Sequence, residues 1–118
     1  MKKKILIAED DDLVFRFLEI ISKSLKLTVV HAENGAKAVD IFQNSSDIDI
    51  ILMDIKMPIM GGIEATKLIR KINKEIPIIA QTAYASTSDR TKMVDVGFTD
   101  YITKPIYVKI LQKTLKKY

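Results

Sequence analysis

Residues 48–54 read Ile48-Asp49-Ile50-Ile51-Leu52-Met53-Asp54. The segment is short, almost wholly apolar, and ends on a carboxylate. A run of this kind reads as a strand buried on both faces, as strands are in a parallel sheet. Three other runs resemble it. Ile5-Leu6-Ile7-Ala8 leads into Glu9, Asp10, Asp11 and Asp12. Ile76-Pro77-Ile78-Ile79-Ala80 leads to Thr82, and Tyr101-Ile102-Thr103 leads to Lys104-Pro105. Right-handed crossovers between parallel strands bring such ends to one edge of the sheet. Carboxylates, a hydroxyl and an ammonium then share a pocket. Crowding like charges opposes folding, so the pocket calls for a functional explanation.

Helix-like periods fill the gaps. Val14, Phe17, Leu18, Ile21 and Leu25 form an amphipathic stripe, with Asp11 or Asp12 as its cap. Residues 27–30 read as a second strand. Asn34-Gly35 marks a turn, and Ala36, Val39 and Phe42 carry a short helix to about Gln43. Pro58 and Gly61-Gly62 break the chain before a helix over 62–73 that uses Ile63, Ala65, Ile69 and Ile72. Ser86 and Asp89 have the spacing of a capping box for a helix through Val94, which Gly97 ends. Residues 99–103 read as a fifth strand. A last helix over 106–117 turns Ile106, Ile110, Leu111 and Leu115 inward. Strands alternating with helices predict an α/β, doubly wound parallel sheet covered on both faces, with its ligand edge where the strand order reverses.

A chain of 118 residues, 47% hydrophobic, suffices for one domain with a core of its own. The expected domain is residues 1–118. With no cysteine, disulfides and thiolate chemistry are excluded. The apolar run after Met1-Lys2-Lys3-Lys4 stops at Glu9, too short for a signal peptide, and no run reaches the roughly 18 apolar residues of a bilayer span. The expected location is the cytoplasm. Net charge is +4, with the basic excess at the two ends. Without interleaved aromatics or a recognition motif, it reads as solvated surface, not as a nucleic-acid interface.

Glu9, Asp10 and Asp54 fall at the ends of the first and third strands. Two carboxylates about 4 Å apart repel by roughly 1 to 4 kcal/mol. A hard divalent cation removes that repulsion, and magnesium commonly combines carboxylates, waters and phosphate oxygens. The four consecutive acids admit either Glu9-Asp10 or Asp10-Asp11 as the working pair. Counting from the apolar run favours Glu9-Asp10, which leaves Asp11 and Asp12 to open the first helix.

Ile5-Leu6-Ile7-Ala8-Glu9-Asp10-Asp11, the run Met53 to Gly62, Gln81-Thr82-Ala83 and Asp100-Tyr101-Ile102-Thr103-Lys104-Pro105 together resemble the receiver domain of two-component response regulators. The likeness covers essentially the whole chain. It implies a flavodoxin-like five-stranded sheet of order 2-1-3-4-5 and a phosphorylation switch. Asp54 would be the phosphoacceptor, taking its phosphoryl group from a sensor histidine kinase or histidine phosphotransfer domain. Glu9, Asp10, Asp54 and the Lys56 backbone carbonyl would hold magnesium, or manganese in its place. Thr82 and Lys104 would bind phosphoryl oxygens, and Tyr101 would turn inward as Thr82 moves, changing the face of the fourth helix, fifth strand and fifth helix. Lys56 and Tyr84 would flank the phosphate. The Lys104-Pro105 bond would be cis. The resemblance implies an acceptor with phosphotransfer and autodephosphorylation chemistry, not an enzyme with an outside substrate. It would be a monomer or a weak phosphorylation-dependent dimer.

Three rivals stand beside that reading. An aspartyl phosphatase would need a cap insertion, and a flavin carrier would need a loop free of acids after the first strand. A receiver-like module that is never phosphorylated would not need the acceptor, acids, hydroxyl and lysine together. The chain ending at Tyr118 fits a stand-alone regulator, or a piece of a longer regulator or of a hybrid kinase, whose receivers its loops resemble.

Overall fold

A computed structural model describes residues 2–83 and 86–118, and at position 87 the backbone alone. Strands and helices alternate: β1 (Lys4–Ala8), α1 (Asp12–Ser24), β2 (Thr28–Ala32), α2 (Gly35–Gln43), β3 (Ile50–Asp54), α3 (Gly62–Ile72), β4 (Ile78–Thr82), α4 (Thr87–Val96), β5 (Asp100–Thr103) and α5 (Val108–Lys116). The five strands pair in parallel in the order β2-β1-β3-β4-β5. The sheet is thus of the flavodoxin-like kind expected.

Alternation along each strand divides the core in two. Leu6, Ala8, Ile51, Met53, Ile78 and Ala80 face α2, α3 and α4, which contribute Ala38, Phe42, Ala65, Ile69 and Met93. Ile5, Ile7, Ile50, Leu52, Ile79 and Ile102 face α1 and α5, which contribute Leu18, Ile21, Leu111 and Leu115. β1, β3 and β4 are central, and almost every residue in them is buried. That double burial is why their sequences read as continuous apolar runs.

Several boundaries depart from the sequence pattern. β4 begins at Ile78, not Ile76, because Pro77 has no N–H for the ladder, although its carbonyl still accepts from Ile51 at 2.9 Å. β3 begins at Ile50, and the Asp49 carboxylate accepts the Lys4 N–H at 2.8 Å. β2 continues through His31 to Ala32 because Ala8 and Ile7 remain paired there. α5 begins at Val108, after Tyr107 in the N-cap position. Phe17, Ile63, Ile72 and Ile110, expected inward, are exposed. The apolar stripes are narrower than the periodicity implies, with Thr66 and Thr114 buried beside them. α4 is the least buried helix. Met93, 9% exposed, is its one buried side chain among the described residues.

α3 fixes the far end of α4. Arg70 Nε donates to the Gly97 carbonyl at 2.8 Å, and a second guanidinium nitrogen donates to Thr99 Oγ1 at 3.2 Å. Gly97 closes α4 at φ 115°, a conformation that only glycine adopts readily.

Candidate functional site

β1 and β3 are neighbours, with Ala8 opposite Met53, so the next residues, Glu9 and Asp54, emerge side by side. Glu9, Asp10 and Asp54 each offer an oxygen within 4.8 Å of the others. Glu9 and Asp54 are only 2% exposed, whereas Asp10 faces solvent. Asp11 is the N-cap of α1 and accepts the Leu13 and Val14 N–H groups at 2.9 and 3.1 Å. Asp11 is thus occupied by the helix, and it is Glu9 and Asp10 that lie with Asp54.

The cluster is electrostatically loaded. Burial first, and the nearby Asp54 charge after it, raise the Glu9 carboxyl against the opposing Asp11 N–H and Lys104, to about 7 in all. Glu9 Oε1 is buried with no hydrogen-bond partner among the described residues. An orphan acceptor beside two more carboxylates is the donor set of a hard divalent cation. The Glu9 backbone is held firmly. Its N–H donates to the Ala32 carbonyl at 3.0 Å, and His31 Nε2 donates to its carbonyl at 2.8 Å. The His31 ring stacks on Phe15 of α1, with centroids 3.6 Å apart. No local pattern marks this role beyond His31 being the chain's sole histidine.

On the other side of Asp54, Lys104 Nζ donates to Asp54 Oδ1 at 2.8 Å. The Lys104 N–H donates to the Thr82 carbonyl at 2.8 Å, which carries the β4–β5 ladder beyond Thr103. The Lys104-Pro105 peptide is cis, as expected. Thr82 is buried at the last position of β4. Asp54, Lys56, Gln81, Thr82 and Lys104 are among the walls of one cavity of about 40 Å³. Gln81 was missed as a site residue because a lone glutamine in a strand carries no motif. Gly62 packs against the backbone of Asp54. A Cβ there would lie 2.0 Å from the Asp54 carbonyl oxygen.

Tyr101 stands apart from this pocket. It is half-buried against the α2–α4 side of the core, with the Arg90 guanidinium carbon 5.3 Å from its ring centroid. Tyr84 lies outside the described residues. Among the described residues, no helix is long and apolar enough to cross a membrane.

The comparisons agree with this geometry. The family model described as the response regulator receiver domain matches residues 5–116. Hybrid signal transduction histidine kinase I of Dictyostelium discoideum is 37% identical over 96% of this chain, which spans 7% of that kinase's length. The receiver domain of a Pseudomonas aeruginosa sensor histidine kinase, solved with magnesium coordinated in its active-site cleft, is 32% identical. It superposes with a TM-score of 0.89, covering 100% of this chain and 98% of that one. A Saccharomyces cerevisiae response-regulator receiver domain, co-crystallised with a histidine phosphotransfer signalling protein, is 31% identical with a TM-score of 0.93, covering 99% of this chain and 88% of that one. With its five-stranded 2-1-3-4-5 sheet and its acids, hydroxyl and lysine at one edge, the chain belongs to the response regulator receiver domain family of two-component signalling.

Proposed function

We propose that Asp54 accepts a phosphoryl group from a phosphohistidine and that the resulting acyl phosphate switches the α4–β5–α5 face. The observation that carries this is the setting of Asp54. It is a buried carboxylate with Lys104 at 2.8 Å on one side and the Glu9-Asp10 acids within 4.8 Å on the other. An Asp54 oxygen attacks phosphorus in line. The new O–P bond forms as the P–N bond breaks, and the bonding pair leaves with the imidazole nitrogen. Lys104 turns to a phosphoryl oxygen and offsets the added charge. The Thr82 hydroxyl, at the end of β4, donates to another.

Glu9, Asp10, Asp54 and the Lys56 carbonyl would hold magnesium or manganese, Glu9 through a water. Such an ion supplies charge neutralisation for the transferring phosphoryl group. The buried Glu9 Oε1 and the crowded carboxylates support this assignment. Tyr101 would follow Thr82 inward. α4 suits a moving part because it buries so little apolar surface. Lys56 and Tyr84 would flank the phosphate and set its hydrolysis rate.

The donor is a histidine kinase or histidine phosphotransfer domain. An apolar cavity of about 360 Å³ opens beside Lys104, walled by Leu13, Val14, Phe17, Pro105 and Ile106. Leu13 and Ile20 are 81% and 67% exposed. This surface suits the helix that carries a phosphohistidine, laid alongside α1. The yeast neighbour crystallised with a phosphotransfer protein supports the pairing.

The test is incubation with acetyl phosphate, with and without magnesium. Label should enter the wild-type chain only with the metal, and Asp54→Asn should take none. Equal labelling of the Asn variant would overturn the assignment.

A further inference from the structure

Gln81 is wholly buried, yet neither its Oε1 nor its Nε2 has a hydrogen-bond partner among the described residues. Buried amides are almost always paired, and one left unpaired weakens the fold. Two residues earlier on β4, Ile79 packs on the α1–α5 side of the sheet, and alternation places Gln81 on that same side. Asp54 follows Leu52 on β3 by the same step, so it shares that face. The ladder sets Asp54 directly opposite Gln81. Both also line the cavity that Thr82 and Lys104 help to close. A carboxamide with unused donors therefore stands next to the acceptor.

The Asp54 oxygen facing Lys104 has its ammonium donor at 2.8 Å in this state. On the reading proposed above, Lys104 leaves that oxygen when it turns to the phosphoryl group. We propose that Gln81 is a positioning residue of the phosphorylated state. Its Nε2–H takes over the Asp54 oxygen that Lys104 releases, and so holds the acyl phosphate carbonyl in place. This inference rests on the phosphoacceptor reading and adds a donor to it. The exchange costs the resting state an unpaired amide and gives the phosphorylated state a hydrogen bond.

The two states should therefore respond in opposite directions when the amide is removed. Gln81→Met keeps the side chain's length and loses its polar atoms, and Gln81→Leu checks the result with another shape. Without ligand, both should melt higher than the wild type, by about 3 to 5 °C. Their affinity for beryllofluoride with magnesium, a stable mimic of the aspartyl phosphate, should fall about tenfold, the size of one hydrogen bond. A merely structural amide would move the melting temperature and leave beryllofluoride affinity untouched, and that result overturns the proposal. Lower melting of both ligand-free variants also overturns it, because the amide is then already satisfied. The controls separate this inference from the reading beneath it. If the wild type binds beryllofluoride and Asp54→Asn does not, the phosphoacceptor reading stands, and the Gln81 variants judge the inference alone. If the wild type does not bind it, both fall together.

Discussion

The two halves of the sheet's C-terminal edge are built on opposite plans. On the β1–β3 side, both strands are central, Glu9 and Asp54 are buried, and the Glu9 backbone is bonded at both its N–H and its carbonyl. Gly62 lies tight against the Asp54 carbonyl. On the β4–β5 side, Tyr101 is half-exposed, the Lys104 side chain is 39% exposed, and α4 buries a single side chain among its described residues. The first half fixes charges that must meet a phosphoryl group in one geometry, where a displacement of an ångström is costly. The second half offers little packing to resist movement. Rigid chemistry and a loose readout meet at Thr82 and Lys104.

The largest test of this contrast is Gly62→Ala. A Cβ forced to 2.0 Å from the Asp54 oxygen should cost upwards of about 3 kcal/mol in urea unfolding. An unchanged midpoint would show the acceptor side to be softer than its packing implies. The second test is pH. Glu9 binds its proton more tightly folded, with a pKa of about 7 against the ordinary 4.5, so the folded state holds protons that the unfolded chain has released. The contribution is therefore complete below about pH 4.5 and is lost as pH rises through 7 when no metal is bound. Melting curves across this range should show the decline. Glu9→Gln should flatten it, and saturating magnesium should as well. A metal-free protein equally stable at pH 5 and pH 7.5 would contradict the strained cluster.

Smaller effects are expected from side chains that do not hold the acids in place. Replacing Lys56 and Tyr84 together by alanine should change the hydrolysis rate of the phosphorylated protein several-fold without altering its melting temperature. An identical decay would remove both from the phosphate's surroundings. Arg90→Ala withdraws a cation from the Tyr101 ring and should cost under about 1 kcal/mol. Its sharper readout is tyrosine fluorescence or ring chemical shift. If neither differs before and after phosphorylation, in either protein, Tyr101 is no part of the switch.

The sheet was legible because its central strands are apolar on both faces and each ends in a polar residue of distinct chemistry. Glu9, Asp10, Asp54, Thr82 and Lys104 drew notice by their places at those ends, and the fold brings them to one edge. Counting from the apolar run already favoured Glu9-Asp10 over Asp10-Asp11, and the cap bonds of Asp11 agree with that count. The helix faces were less legible. Ile63, Ile72 and Ile110 fit the period yet stay exposed, since a helix against a flat sheet covers only a narrow stripe. His31 and Gln81 could not be read at all. Their surroundings come from α1 and β3, far off in the chain, and no local pattern encodes such meetings.

Arg70 gives the fold a fulcrum. It clamps the turn after α4 to α3, at the end of the helix remote from the pocket. The shift proposed to start at Thr82 would come from the other end of α4. With one end pinned, a ten-residue rod about 15 Å long must tilt instead of slide. Its outer surface then sweeps an arc, so a partner resting on α4 and β5 would sense a change of angle.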